Sequence, residues 1–280
     1  MSRLLGQLDD QETGRDFTYS VVVVDNDRME SGREAVAGFV SKNRLDVQYE
    51  IEPRQNIALA RNLAWRKAGG DLVAFIDDDE FPARDWLRNL LNTLEQYDAS
   101  GVLGPVVPHF EYETPGWVKK GRFFDRPMHA TGYKIPWREA RTGNVLLKKE
   151  IVPPTEEPFR QEFGTGGEDV DFFRRMMEGG HGFVWCNEAV AFEVVPLSRC
   201  RRGYLLRRAL LRGANSIKNP KKRATAMLKS LIAIPCYTLA LPLFALLGQH
   251  VFLEYLIRLC DHVARLLAFA GFRLVTQREM

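Results

Sequence analysis

The chain has 280 residues, of which 45% are hydrophobic and 27% charged, a balance that calls for a packed core and excludes an intrinsically disordered chain. A net charge of +3 hides two regions: 11 of the 39 Lys and Arg residues lie between Arg199 and Lys229, no acid occurs from Val194 to Leu253, and the rest of the chain holds 28 basic against 36 acidic residues. An acidic body joined to a basic, apolar tail implies two environments. The four cysteines (Cys186, Cys200, Cys236, Cys260) form no CxxC pair, so neither a zinc site nor a disulfide framework is indicated, and reduced thiols in a cytosolic compartment are expected. The opening MSRLLGQLDDQETGRD lacks the long apolar core of a signal peptide.

From Tyr19 to about Val107 strands and helices alternate. The β-branched run YSVVVVDND reads as a buried strand, and residues 31–42 as a helix capped by Ser31 with Glu34 three residues later. VQYEIEP is a short strand. QNIALARNLAWRKAGG reads as a helix with Ile57, Ala60, Ala64 and Ala68 at helical spacing, stopped by Gly69-Gly70. LVAFI is the next strand, ARDWLRNLLNTLEQY an amphipathic helix and GVLGPVVP another strand. This repetition predicts an α/β fold, a mostly parallel, Rossmann-like sheet flanked by helices. Residues 108–141 are loop-like. NVLLKKE reads as a strand, GEDVDFFRRMMEGG as a helix with Phe172, Phe173, Met176 and Met177 on its apolar side, and GFVWCNEAVAFEVVP as one or two strands. The boundary is drawn at 198, an α/β domain over 1–198 and a helical tail over 199–280.

Carboxylates gather at strand ends. LVAFI runs into Asp77, Asp78, Asp79 and Glu80, and VVVV into Asp25, Asn26 and Asp27. In open parallel sheets ligands sit beyond the carboxyl ends of strands. Hard oxygen donors suit Mg²⁺ or Mn²⁺, held by one or two carboxylates plus substrate phosphates. From an extended strand end, Asp77 and Asp79 point the same way. Taken alone, the run also fits an acidic turn capping the next helix at Asp79 or Glu80. Glu168 and Asp169 begin a helix after a glycine pair, where the dipole favours the ionised form. That suits a general base, and equally a plain helix cap.

The ordered set VVVVDND, RQNIALARNLAWRKAGGDLVAFIDDDEFP, TGNVLLKKE and GGEDVDFFRRM resembles the glycosyltransferase family 2 enzymes with a GT-A fold, over roughly residues 4–215. The resemblance implies sugar transfer from a nucleotide-sugar, UDP-linked by analogy, to an acceptor hydroxyl with inversion. It implies that Asp25, with Asn26, lies near the base of the nucleotide and that Arg61 belongs to the nucleotide pocket. Asp77-Asp78-Asp79 matches the DXD motif, with Asp77 near the ribose and Asp79 binding the metal on the diphosphate. Glu168-Asp169 matches the ED motif, with Asp169 as base and Glu168 as acceptor contact. Thr142, Gly143 and Asn144 match a segment lining the donor sugar. Where relatives carry a metal-binding His, the nearest residue here is Glu193, so the metal set reads Asp77, Asp79 and Glu193. Relatives also begin with a strand that this sequence lacks, since MSRLLGQLDDQ resembles the end of their first helix. The expectation is an upstream start or, alternatively, a catalytically impaired, membrane-bound partner of other transferases.

In the tail, residues 230–253 carry no formal charge, a length that can cross a bilayer, which takes about 20 apolar residues. Pro235 and Pro242 are expected to break or kink such a helix. Residues 254–275 place Leu256, Leu259, Val263, Leu266 and Leu267 at helical spacing with Arg258, Asp261 and Arg265 interleaved, an interfacial pattern. A buried hairpin or a dimer contact is the other reading. The basic run from Arg199 would favour anionic lipid on the cytoplasmic face of the inner membrane. It matches no nucleic-acid module. With the resemblance, the tail implies a lipid-linked acceptor.

Overall fold

The computed structural model describes residues 1–275 except 15, 44, 165, 217–222 and 273. Lys218, Lys221 and Lys222 of the basic run therefore lie outside the described residues. The chain divides into two compact units, one of Met1–Pro108 with Arg126–Val194, the other of His109–Asp125 with the chain from Val195 onward. Residues 109–125, placed by the sequence with the body, belong to the unit that carries the tail. Val118 and Trp117 pack there against Val195 and Cys200.

The first unit opens with α1 (Ser2–Asp9), β1 (Val21–Asp25), α2 (Arg33–Val40), β2 (Val47–Ile51), α3 (Ile57–Lys67), β3 (Leu72–Ile76), β4 (Glu80–Pro82), α4 (Trp86–Gln96), β5 (Gly101–Leu103) and β6 (Val106–His109). The short α5 (Gly116–Gly121) lies in the second unit. The first unit resumes with β7 (Asn144–Lys148), α6 (Glu168–Glu178), β8 (Phe183–Trp185) and β9 (Ala191–Val194). The tail consists of α7 (Arg202–Asn215), α8 (Arg223–Leu246) and α9 (Gln249–Phe269).

The α/β class holds, but the strands are less parallel than the sequence suggests. They form a parallel β1–β2 pair, a four-stranded sheet in the order β3–β7–β5–β8 and a three-stranded sheet in the order β4–β9–β6. In the four-stranded sheet β7 runs antiparallel to both neighbours, and the β5–β8 pair alone is parallel. A parallel neighbour needs a long crossover, usually a helix; β7 is reached from the irregular 126–143 segment and escapes that constraint. GVLGPVVP likewise splits into β5 and β6, which belong to different sheets.

Alternation along β7 gives this sheet two apolar faces. Val145 and Leu147 join Trp65 of α3 and Phe172, Phe173 and Met176 of α6 on one side. Leu146 joins Leu4 and Leu8 of α1 and Trp86, Leu90 and Leu94 of α4 on the other. Burying each such side chain contributes about 1.5–3 kcal/mol.

Two helices differ from expectation for local reasons. Helix α2 starts at Arg33 with Gly32, not Ser31, at its N-cap, because the Gly32 amide donates to Asp25 Oδ2 at 2.7 Å and the strand-end acid takes over the capping role. Helix α3 turns Ala58, Ala60, Asn62 and Trp65 inward and leaves Ile57 exposed. The polar Asn62 is tolerated inside because Nδ2 donates to the Phe159 carbonyl at 2.7 Å and Oδ1 accepts from the Phe159 amide at 2.9 Å.

In the second unit α8 runs continuously through Pro235 and Pro242. Ser230, Tyr237 and Phe244 lie before, between and after the prolines, and all contact α9 through His262 or Tyr255. Such packing offsets the backbone bonds that proline removes. The charges on α9 serve packing within the unit. Asp261 accepts from Arg212 Nε of α7 at 3.0 Å, and Arg265 Nε donates to Ser216 Oγ at 2.7 Å. The exposed apolar surface instead belongs to α8, where Leu231, Ile232, Leu239, Leu243 and Leu246 are all more than half exposed.

Candidate active site

Three of the expected site residues meet through one guanidinium. Arg61, in the second turn of α3, makes a close ion pair with Glu168 through Nη1 and a second contact from Nη2 to Asp77 Oδ1 at 3.2 Å. Helix α3 is set in place by Asn56, whose Oδ1 accepts from the Ala58 amide at 3.0 Å and the Leu59 amide at 3.3 Å. Glu168 is the first residue of α6, which follows Gly166 and Gly167 at φ values of 121° and 100°. This left-handed backbone is open to glycine and lets the chain turn sharply into the helix. Burial pushes the Glu168 carboxyl up, and Arg61 opposes the rise.

Asp169, the next residue, accepts from the Val170 amide at 2.7 Å through Oδ1, and its Oδ2 lies 3.7 Å from Arg141 Nε. The Asp169 carboxylate thus sits at a helix start, 17% exposed, beside one guanidinium.

The acidic run is a turn rather than an extended strand end. β3 stops at Ile76, and the Glu80 amide donates to the Asp77 carbonyl at 3.1 Å. Asp77 and Asp79 therefore do not share a face in the way an extended segment would give. Asp78 is exposed, and the Asp79 carbonyl accepts from the Val194 amide at 2.9 Å. The turn instead brings Asp77 and Glu80 together above Gly143. A Cβ on Gly143 would lie 3.0 Å from Asp77 Oδ2 and 3.0 Å from Glu80 Oε1. Glu80 is 2% exposed, and neither of its carboxylate oxygens has a hydrogen-bond partner among the described residues. Burial first, then the charge of Asp77, push its carboxyl up to about 9, against the nearby Arg126.

Glu193 is paired off with Arg126 in a close ion pair, and Arg126 Nη1 also stands 3.8 Å from Glu80 Oε1. No group of three or more His, Cys, Asp or Glu side chains among the described residues is arranged to hold a metal ion, so Asp77, Asp79 and Glu193 are not assembled as a ready-made set. The donors still suit a divalent ion. Two carboxylates converge on a space without a side chain, one is buried without a hydrogen bond, and Mg²⁺ takes its remaining ligands from phosphates and water.

The other expected residues divide. Asp25 accepts from the Tyr49 hydroxyl at 2.7 Å, the Gly32 amide at 2.7 Å and the Asp27 amide at 2.9 Å. Burial pushes its carboxyl up, but these hydrogen bonds reverse that and hold it below the usual range. Asn26 uses its amide on the Glu52 and Arg54 carbonyls, at 2.8 and 2.6 Å. Thr142 is buried, and its hydroxyl has no hydrogen-bond partner among the described residues. Asn144 does not line an open site. Its Nδ2 donates to the Pro105 and Ala189 carbonyls at 2.9 and 2.8 Å, and its Oδ1 accepts from Trp86 Nε1 at 2.8 Å. Glu80, read from the sequence only as part of the acidic run or as a helix cap, and Arg126, not singled out there, both lie close to this turn. The first was legible in DDDE as a four-residue turn, whereas the second sits in a loop without periodicity.

Helices lie on both faces of a mixed sheet, and acids gather at strand ends, which defines the α/β class of the fold. The model of glycosyl transferase family 2 matches residues 3–156, and the chain belongs to that family. It is 36% identical over 198 residues to the succinoglycan biosynthesis protein ExoM of Rhizobium meliloti (strain 1021), covering 69% of this chain and 62% of that one. It is 26% identical over 175 residues to the glycosyltransferase AglE of Haloferax volcanii, covering 61% of this chain and 55% of that one. The chain thus spans about three fifths of the length of these curated relatives. The crystal structure of S. aureus TarS 1-349 in complex with UDP shares the fold with a TM-score of 0.53 at 15% identity, covering 97% of this chain and 87% of that one.

Proposed function

We propose that the protein is an inverting glycosyltransferase of polysaccharide biosynthesis, which moves a sugar from a UDP-sugar to the hydroxyl of a lipid-linked acceptor at the cytoplasmic face of the membrane. The observation that carries this reading is Arg61, which joins Asp77 of the acidic turn to Glu168 of the helix that presents Asp169. The likeness to ExoM supports the pathway class, and the UDP complex of TarS supports the donor. In this reading Asp169 takes the acceptor proton as the new bond forms at the anomeric carbon and the bond to the diphosphate breaks. Arg61 fixes Glu168 so that the neighbouring Asp169 faces the acceptor, and Asp77, with Asp79 and Glu80 near it, holds a Mg²⁺ or Mn²⁺ ion. When bound, that ion supplies positive charge against the leaving diphosphate. Helix α8 supports the membrane assignment, because residues 224–246 are long and apolar enough to cross a bilayer and 6% of the most apolar stretch is buried.

The test is calorimetric titration of UDP into the protein with Mn²⁺ and with EDTA, followed by transfer assays on Asp169→Asn. Mn²⁺-dependent binding is expected, and Asp169→Asn should keep it while transfer falls by about 10²-fold or more. Near-normal turnover in Asp169→Asn would remove the base assignment. Failure of UDP to bind the wild type would favour the alternative, a catalytically impaired partner of other transferases.

A further inference from the structure

The second unit holds a cavity of about 330 Å³ that takes no part in the chemistry above. Its walls are apolar, formed by Phe110, Val118, Phe123 and Phe124, and its polar lining is Lys119, Arg122 and Asp125. The chain builds it at the end of α5. Val118, 1% exposed, packs against Val195 and Cys200 and fixes the helix. Arg122 then takes φ 48° and ψ 38°, a left-handed conformation that an arginine rarely adopts. The reversal folds Phe123 back over Gly121, where a Cβ would lie 2.2 Å from the Phe123 ring, and sets that ring against Trp117 at 5.8 Å between centroids. Phe124 meets Phe110 edge to face at 6.1 Å. Arg122 Nε donates to Asp125 Oδ2 at 2.5 Å, which holds the guanidinium beside the cavity. Backbone strain of this kind persists where the surrounding structure over-determines it, and it gathers at ligand clamps.

Apolar walls beside two cations and one carboxylate suit an amphiphile with an anionic head. A soluble anion gains nothing from four apolar walls, and a purely apolar molecule gains nothing from Lys119 and Arg122. Phosphate is a head that a guanidinium and an ammonium both bind well. The volume lies at the lower end of ligand cavities, about 300–1,000 Å³, so it admits one chain rather than the two of a bilayer phospholipid. The surroundings are those of a lipid site: α5 packs on α9, and α9 packs on α8, whose residues 224–246 are long and apolar enough to cross a bilayer.

We infer that this cavity binds the phosphate and first carbons of a single-chain lipid phosphate, the carrier end of the acceptor, with Lys119 and Arg122 on the phosphate and the phenylalanine rings on the chain. This deepens the reading above and rests on it for the lipid's being the acceptor.

The experiment is calorimetric titration of the full chain with octyl phosphate, kept below its micelle concentration, beside octanol, inorganic phosphate and dihexanoyl phosphatidic acid. Octyl phosphate is expected to bind at least about tenfold more tightly than each of the other three, since charge-assisted bonds to the phosphate add to burial of the chain. The double variant Lys119→Gln/Arg122→Gln should bind octyl phosphate no better than octanol. Both side chains are exposed, and unchanged octanol binding shows that the cavity itself survives the substitution. Phe123→Ala should weaken octanol and octyl phosphate alike. Octyl phosphate bound no more tightly than octanol or inorganic phosphate overturns the inference, as does a double variant with wild-type affinity. Phosphatidic acid bound as tightly as octyl phosphate overturns the single-chain assignment in favour of a bilayer lipid. If octyl phosphate fails while UDP binds with Mn²⁺, the inference falls and the donor reading stands. If octyl phosphate binds as expected while UDP does not bind, the lipid phosphate site stands and the nucleotide-sugar reading falls.

Discussion

Arg61 and Glu168 form a buried ion pair across 107 residues of sequence, with side chains 13% and 5% exposed. The pair fastens α3 to the start of α6 and holds the acid beside Asp169. Neither partner is easily removed alone. Arg61→Ala leaves Glu168 buried without its counter-charge and is expected to cost about 3–5 kcal/mol. Urea denaturation measures this, and Glu168→Gln in the same background should recover part of the loss. A loss below about 1 kcal/mol would mean that the pair is solvated in solution.

The second prediction concerns Asp25 and Tyr49. The Tyr49 phenol is pushed up to about 12 by burial and by donating its proton to Asp25. A raised acid contributes stability below its ordinary pKa and loses it as pH rises, here between about 10 and about 12. Asp25 is held below its usual range, so its contribution is present at neutral pH and lost as pH falls through the carboxylate range. Tyr49→Phe removes one of three hydrogen bonds to Asp25. It should flatten the alkaline loss and move acid unfolding to higher pH. Thermal melts across pH check both, and an unchanged acid limb would show that the two amides suffice.

Asn144 carries the third prediction, and its structural role is packing. Gly143 sits beside Asp77 and Glu80. Asn144, one residue on, faces inward and joins α4 to the turns after β5 and before β9. Asn144→Ala leaves the Trp86 indole and the Ala189 carbonyl unpaired in the core, at about 1–3 kcal/mol for each group, while the Pro105 carbonyl keeps its bond from the Ala191 amide at 3.0 Å. A drop of several kcal/mol in denaturant unfolding is expected. A near-neutral result would mean that water replaces the amide.

Much of the fold was legible because β-branched and apolar runs such as Val21–Val24 and Leu72–Ile76 have one compatible conformation in a buried sheet. Strand direction was not legible, because it depends on how β7 is reached and not on its own residues. The inward face of α3 was missed for a related reason: Asn62 is polar by type and buried by its exchange of hydrogen bonds with Phe159, a partner 97 residues away. The acids of the candidate site were visible as clusters. Their pairing was not, because a turn at 77–80 selects Asp77 and Glu80 where an extended chain would select Asp77 and Asp79.

The last prediction tests the tail. Helix α9 buries Leu253 and Ala264 and places Tyr255 on Tyr237 and Phe244 of α8, so one side of α8 is covered within its own unit. The remaining side presents Leu239 and Leu246, which are 82% and 83% exposed. Water is a poor solvent for such a row, whereas the acyl region of a bilayer is a good one, at about 1.5–3 kcal/mol for each leucine transferred. Replacing Leu239 and Leu246 with Asp should therefore lower flotation with vesicles of anionic phospholipid by at least about tenfold, since each carboxylate also opposes the lipid charge. The same change leaves the core of the first unit untouched, so the Mn²⁺-dependent UDP titration should be unaltered. If flotation survives the double substitution, α8 is not the membrane contact and its leucines serve another surface.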